Sequence, residues 1–299
     1  MPEAHPLADT VLMVRPARFS HNELTAATNT FQQAGDESAA LTLQAAQTEF
    51  DLLKDMLIQN DVYVIAFQQP DHCLSPDAVF PNNWISFHDD RVILYPLLAA
   101  NRRSERQPHW AAWLATGRPV DDWSLWEQED RYLEGTGSLV LDRQHRRAYA
   151  ALSLRTDAGL VRQWCAQMGY EPILFHTALE DGLPVYHTNV VMSIGMRVAV
   201  VCAEAIVAAD RLQVLSALES THRLVVISLE QMKQFCGNIL LLRNRRGATL
   251  WALSKRAWGR FTEEQRTLLA TDGALLPVSI PVIERTGGGS VRCMLAEVY

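Results

Sequence analysis

Short apolar runs alternate with amphipathic stretches along the whole chain. Val11 to Arg15 reads as a strand. From Ser38 to Asn60 the apolar positions Leu41, Leu43, Phe50, Leu53 and Met56 fall at broadly helical spacing, and Val62 to Phe67 follows as a strand. After that one unit keeps returning: a turn, a pair of strands, a helix and a further strand. The first copy opens at Phe80-Pro81-Asn82-Asn83-Trp84, with a strand over 92–97 and a helix over 104–115. The second opens at Leu133-Glu134-Gly135-Thr136-Gly137-Ser138, pairs Val140-Leu141 with 148–153, enters a helix at Asp157 and closes on 170–175. The third opens at His187-Thr188-Asn189, with strands over 190–194 and 198–201, a helix over 208–218 and a strand over 223–227. The fourth opens at Cys236-Gly237-Asn238, with strands over 239–242 and 249–254, a helix over 262–270 and a strand over 275–280. The fifth opens at Gly287-Gly288-Gly289-Ser290 and runs into a strand over 291–295.

A period of about 50 residues belongs to repeated modules. Each module carries two or three strands and one helix, so the helix covers one face of its sheet and the other face must meet neighbours. A closed ring of about five such units fits the length, with the first strand of the chain completing the last unit. A doubly wound parallel sheet is the competing architecture. The absence of a Gly-rich loop after the first strand, and the frequent strand–turn–strand pairs, favour the ring. The expectation is therefore an α/β fold, a closed ring of about five ββαβ-type repeats forming one domain over residues 1–299.

Composition changes this picture little. Of 299 residues 48% are hydrophobic and 20% charged, an ordinary globular balance. A net charge of −7, with both signs mixed along the chain, gives no basic face for nucleic acid. No apolar run is long enough to span a bilayer, and Met1 to Thr10 lacks a basic region followed by an apolar stretch, so a cytoplasmic location is expected. Cys73, Cys165, Cys202, Cys236 and Cys293 are odd in number and irregularly spaced, which argues against a disulfide framework or a zinc cluster. His72 beside Cys73 is the nearest thing to a ligand pair, and no metal site is expected.

In a ring of modules the same end of each unit faces the axis, so the residues that open the repeats converge. They are Asn83, Glu134, His187 with Asn189, Asn238, and the segment from Gly287 to Cys293. A thiol, an imidazole, a carboxylate and several amides meeting in one cavity make a small-molecule site. Taken singly, each residue also has a plainer reading: Cys293 as a small core residue, His187 as a hydrogen-bonded structural histidine, Glu134 as a loop carboxylate. Three consecutive glycines before Cys293 let the backbone take unusual conformations, and Arg292 beside it would favour a thiolate. Cys73, Cys165, Cys202 and Cys236 read as buried small residues. Trp110, Trp113, Trp123 and Trp126 read as core or lid packing, and the polar run 116–131 as a surface loop or a lid.

The ordered set FPNNW, LEGTGS, SLRT, HTN and GGGSVRC resembles the guanidino-modifying enzymes, the five-bladed α/β propeller (pentein) superfamily of arginine deiminases, agmatine deiminases and dimethylarginine dimethylaminohydrolases. The strings FPNNWISFH, LEGTGSLVLDR, YHTNVVMSIG and GGGSVRCMLAE are most similar to its citrulline-utilisation hydrolase branch. The resemblance implies Cys293 as nucleophile, His187 as general acid/base and Glu134 as the carboxylate that orients the site. It implies Arg155, and Arg102 or Arg103, as grips for a substrate α-carboxylate. It further implies Asn83, Asn189, Asn238, Gly288 and Gly289 as substrate-binding positions, and no cofactor. The expected partner is a small amino-acid substrate, with no nucleic acid and no membrane; a homodimer is kept open.

Arginine deiminases carry aspartate where this sequence has Asn83 and Asn189. An amide offers one acceptor and two donors without charge, which suits a neutral ureido group better than a guanidinium cation. The resemblance therefore leans towards citrulline, cleaved to ornithine, ammonia and carbon dioxide. Guanidino hydrolysis to citrulline is the alternative, and a non-catalytic binding protein of the same fold a more distant one.

Overall fold

The computed structural model describes residues 5–35 and 37–299; Met1 to Ala4, part of the segment read for a leader, lie outside the described residues. Five three-stranded sheets follow one another. The first comprises Ile85–Phe87, Val92–Leu94 and Val120–Asp122, and the second Val140–Asp142, Arg147–Ala151 and Glu171–Phe175. The third comprises Met192–Ile194, Val198–Val201 and Arg223–Val226, and the fourth Leu240–Arg243, Thr249–Ser254 and Ala274–Val278. In each the first strand runs antiparallel to the middle one and the middle one parallel to the third. A parallel neighbour requires a crossover, and a helix supplies it in every case: Pro108–Ala115, Ala158–Met168, Ala208–Glu219, and the pair Lys255–Arg260 and Glu263–Ala270.

The fifth sheet is assembled from both ends of the sequence. Ala296–Val298 pairs antiparallel with Thr10–Arg15, which pairs parallel with Tyr63–Gln68 across the long helix Ala39–Gln59. The expected completion of the last unit by the first strand is thus present, and the architecture is a five-bladed α/β propeller. Inner strands touch between the fifth and first, second and third, and third and fourth blades, and the middle strands, paired on both sides within their sheets, are buried, Val198–Val201 along its whole length.

Some boundaries differ from the sequence reading. The run 291–295 is not a strand: Val291–Met294 forms a single 3-10 turn, and the strand begins at Ala296. Residues 188–191 likewise form a short helical turn before the inner strand. The run 116–131 holds the third strand of the first blade and the turn Ser124–Glu129. No helix among the described residues is long and apolar enough to cross a membrane.

Candidate functional site

Each blade is entered through a tight turn: Pro81–Asn83, Gly135–Ser138, Thr188–Val191, the turn before Leu240, and Val291–Met294. The first two pack on each other, the second on the third, and the first on the last. This brings together residues far apart in sequence. Asn83, His187, Arg102, Arg155, Gly287, Gly289 and Cys293 line one cavity, together with Thr25, Asn29, Gln32, Asp77, Phe80 and Tyr186.

Cys293 is buried, and its Sγ receives Asn238 Nδ2 at 3.2 Å and Asn189 Nδ2 at 3.5 Å. Asn238 is itself fixed by donating to the Asn189 backbone carbonyl at 2.8 Å. Burial pushes the thiol up; the Asn238 amide, the Ser290 backbone and Arg292 pull the other way without prevailing. Arg292 thus favours the thiolate as expected, and burial outweighs it. That guanidinium is engaged by Glu297 at 2.7 Å and by the Leu295 carbonyl.

His187 Nε2 lies 2.8 Å from Glu134 Oε2, and Glu134 Oε1 accepts the Leu98 backbone N–H at 3.0 Å. Burial drives the imidazole down to about 4, against the pull of Glu134. Burial alone would raise the Glu134 carboxyl, but Arg155, His187 and Arg102 outweigh it and hold it well below the usual carboxylate range. The result is a neutral imidazole beside an ionised carboxylate. With Nε2–H donating to Glu134, Nδ1 is left as the basic nitrogen.

Arg102 is fully sequestered, forked onto Glu105 with two contacts of 2.8 Å, and donates Nη1 to Asn83 Oδ1 at 2.8 Å. Arg103 does not reach the cavity. Its Nε faces the Leu97 carbonyl and Glu127, each at 3.2 Å, so of the two it is Arg102 that lines the cavity. Arg155 donates to Thr28 Oγ1 and to the Thr25 carbonyl, and lies 3.5 Å from Glu134. Gly288 does not line the cavity itself. At φ +64° its carbonyl accepts from Tyr186 Oη at 2.5 Å and from Asn29 Nδ2 at 3.3 Å.

Several lining residues carried no signal in the sequence. Thr25, Asn29 and Gln32 belong to a polar N-terminal segment that closes the cavity, with Gln32 Nε2 on the Gly287 carbonyl at 2.9 Å. This segment lines the cavity, and 116–131 supplies none of its lining. Asp77 is buried; its Oδ2 takes Asn22 and Thr25, while Oδ1 has no partner. The free space in the cavity is about 20 Å³, room for roughly one water molecule.

The same architecture occurs in solved structures. The N-terminal domain of ArgZ, an arginine dihydrolase from the ornithine-ammonia cycle in cyanobacteria, captured as a Cys-to-Ser mutant bound to substrate, is 15% identical with a TM-score of 0.76, covering 97% of each chain. A Cys-to-Ala mutant of AgrE in complex with L-arginine is 16% identical with a TM-score of 0.76; 97% of this chain is covered, against 40% of the AgrE chain. A dimethylarginine dimethylaminohydrolase adduct with S-methyl-L-thiocitrulline is 14% identical with a TM-score of 0.65, covering 97% and 99%. No curated protein sequence matches the chain. The sequence model described as N,N dimethylarginine dimethylhydrolase, eukaryotic, matches residues 15–299. That match spans nearly the whole chain, which therefore belongs to the N,N-dimethylarginine dimethylhydrolase family of the guanidino-modifying enzyme superfamily and is a hydrolase acting on C–N bonds.

Proposed function

We propose that the chain hydrolyses the ureido group of citrulline, with Cys293 as nucleophile, His187 as proton shuttle and Glu134 as the group that orients it. The observation that carries this reading is the set of amides facing the sulfur. Asn189 and Asn238 both aim Nδ2 at Cys293 Sγ, and Asn83 fills the lining position where a carboxylate would pair with a guanidinium. Amides can donate to a ureido carbonyl oxygen and accept from its N–H groups.

The steps follow from the protonation states. Cys293 passes its proton to His187 Nδ1 as sulfur attacks the ureido carbon, and amide donors stabilise the oxygen of the tetrahedral adduct. His187 returns the proton to the side-chain nitrogen as the C–N bond breaks. Ornithine leaves and a carbamoyl group remains on sulfur. His187 then takes a proton from water, which attacks the same carbon. The C–S bond breaks, and the carbamate released decays to ammonia and carbon dioxide. Arg102 and Arg155 suit the substrate α-carboxylate, and the free Oδ1 of Asp77 suits its α-ammonium. An amino acid needs more space than the cavity offers, so the segment bearing Thr25, Asn29 and Gln32 swings away to admit it.

Guanidino hydrolysis to citrulline is the second reading. It is supported by the ionised Glu134 bonded to His187 and by the description of the family. Purified protein incubated separately with citrulline and arginine decides between them. Ornithine and ammonia from citrulline are expected; citrulline formed from arginine, with no ornithine from either substrate, overturns the proposal.

A further inference from the structure

Away from this cavity, the seam between the second and third blades gathers three side chains capable of binding a metal ion. Asp142 ends the inner strand Val140–Asp142, His145 lies in the turn that follows, and His222 lies just beyond the helix Ala208–Glu219. Asp142 Oδ1 accepts the His145 backbone N–H at 3.0 Å, which fixes the turn, and His145 Nδ1 sits 3.0 and 2.9 Å from the two carboxylate oxygens. His222 Nδ1 lies 3.9 Å from Asp142 Oδ2. One donor atom from each of the three residues falls within 4.8 Å of the others, and the two rings meet edge to face at 5.5 Å.

A plain Asp–His pair accounts for His145 but not for the rest. The His222 side chain is fully buried, its Nδ1 is too far from Asp142 to share a hydrogen bond, and its Nε2 has no partner. Thr221 Oγ1 lies 2.8 Å from its Nδ1, and the Gly195 backbone is the other group facing the ring. Asp142 is also buried, and among the described residues its ion-pair partners are these two imidazoles alone. The arginines beside it are engaged elsewhere: Arg146 on the Met168 carbonyl and the Tyr170 ring, Arg147 on Glu171 and the Ala217 carbonyl. A buried carboxylate without a permanent cation is costly. A tetrahedral zinc ion with bonds of 2.0–2.2 Å places its ligand atoms about 3.3–3.6 Å apart, between the His145–Asp142 and His222–Asp142 separations.

We propose that Asp142, His145 and His222 bind a divalent transition-metal ion of the zinc type, clipping the second blade to the third. Two imidazoles and one carboxylate satisfy the ion's preference for nitrogen and oxygen donors and leave a fourth position to solvent. The partly exposed edge of His145 gives the ion a way in. Sequence spacing hides the set, since His222 lies far along the chain from Asp142 and His145 and only the blade seam joins them.

The test uses the full chain carrying Cys293→Ser, which removes the active-site thiol as a competing ligand. After stripping with a chelator, the protein is titrated with Zn2+ by calorimetry and melted with and without the ion. One saturable Zn2+ per chain and a raised Tm are expected. His145→Ala, at the exposed edge where folding is least at risk, and His222→Ala should each weaken binding by about tenfold or more. No saturable binding, or binding that survives both substitutions, overturns the proposal.

Discussion

Asn83 joins two parts of the cavity: its Oδ1 takes the Arg102 guanidinium at 2.8 Å, while its Nδ2 reaches Asn82 Oδ1 at 3.0 Å. On the proposed reading that amide nitrogen also serves the ureido oxygen. Asn83→Asp keeps an acceptor for Arg102 and removes the donor. Turnover of citrulline should then fall by about 2 kcal/mol of binding, roughly thirtyfold in kcat/KM, while arginine gains a carboxylate partner and its turnover rises. Steady-state kinetics on both substrates checks this; unchanged ratios would remove Asn83 from substrate recognition. At this scale the sequence was legible wherever a residue opened a repeat. Asn83, His187 and Cys293 meet in one cavity because each stands at the same place in its module, Glu134 bonds to His187 there, and Asn189 and Asn238 touch the sulfur. Residues outside that rule were not legible. Asp77 and Thr25 enter from the flanks, and the choice between Arg102 and Arg103 depends on which side of one short turn faces Glu105. Arg292 does pull Cys293 towards a thiolate, as its position suggested, but the burial that outweighs it could not be read from the sequence.

The short helix Gly135–Ser138 shows how tightly the entry turns are packed. A Cβ on Gly137 would stand 2.6 Å from Asn83 Nδ2 and 2.8 Å from His187 Nδ1. Alanine suits a helix better than glycine, so Gly137→Ala should leave the Tm within a few degrees while displacing both side chains. Misplacement of about 1 Å costs on the order of 10²-fold in rate, and a loss of that size in kcat without unfolding is the expected outcome. Wild-type kcat would show that the turn has slack. Helices were read well because their caps are local: Ser38, Asp157 and Thr262 each accept a backbone N–H of the first turn. Short apolar runs were read poorly. Residues 291–295 look like a buried strand, yet in the structure most of them form the turn that presents Cys293, and an apolar run of that length does not distinguish the two. The third strand of the first blade, Val120–Asp122, has no fully buried residue and so leaves no apolar signature.

Closure of the ring is the property of the whole molecule on which the site depends. The last strand is short: Ala296, Glu297 and Val298 pair with Leu12, Val11 and Thr10. It nevertheless ties together much more than its own length. Glu297 holds Arg292 at 2.7 Å, Tyr299 Oη donates to Glu297, the Tyr299 carbonyl takes Arg118, and Arg143 lies 3.9 Å over the Tyr299 ring. Deleting residues 296–299 strips the inner edge from the fifth blade and leaves the Thr10–Arg15 strand, whose centre is wholly buried, with a bare edge. It also frees Arg292, next to the nucleophile. If these contacts together contribute about 4–5 kcal/mol, a large part of ordinary domain stability, the Tm falls by roughly 10 °C. Activity should fall further than stability, because Cys293 is held by the same turn. Calorimetric melts and citrulline assays of the deletion variant measure the two effects side by side. A variant that melts with the parent would mean that four closed blades hold the fifth without its inner strand. Retained activity in that variant would mean that the turn at Val291–Met294 is positioned by Ser290 and Glu284, which are bonded at 2.6 Å, rather than by the closure of the ring.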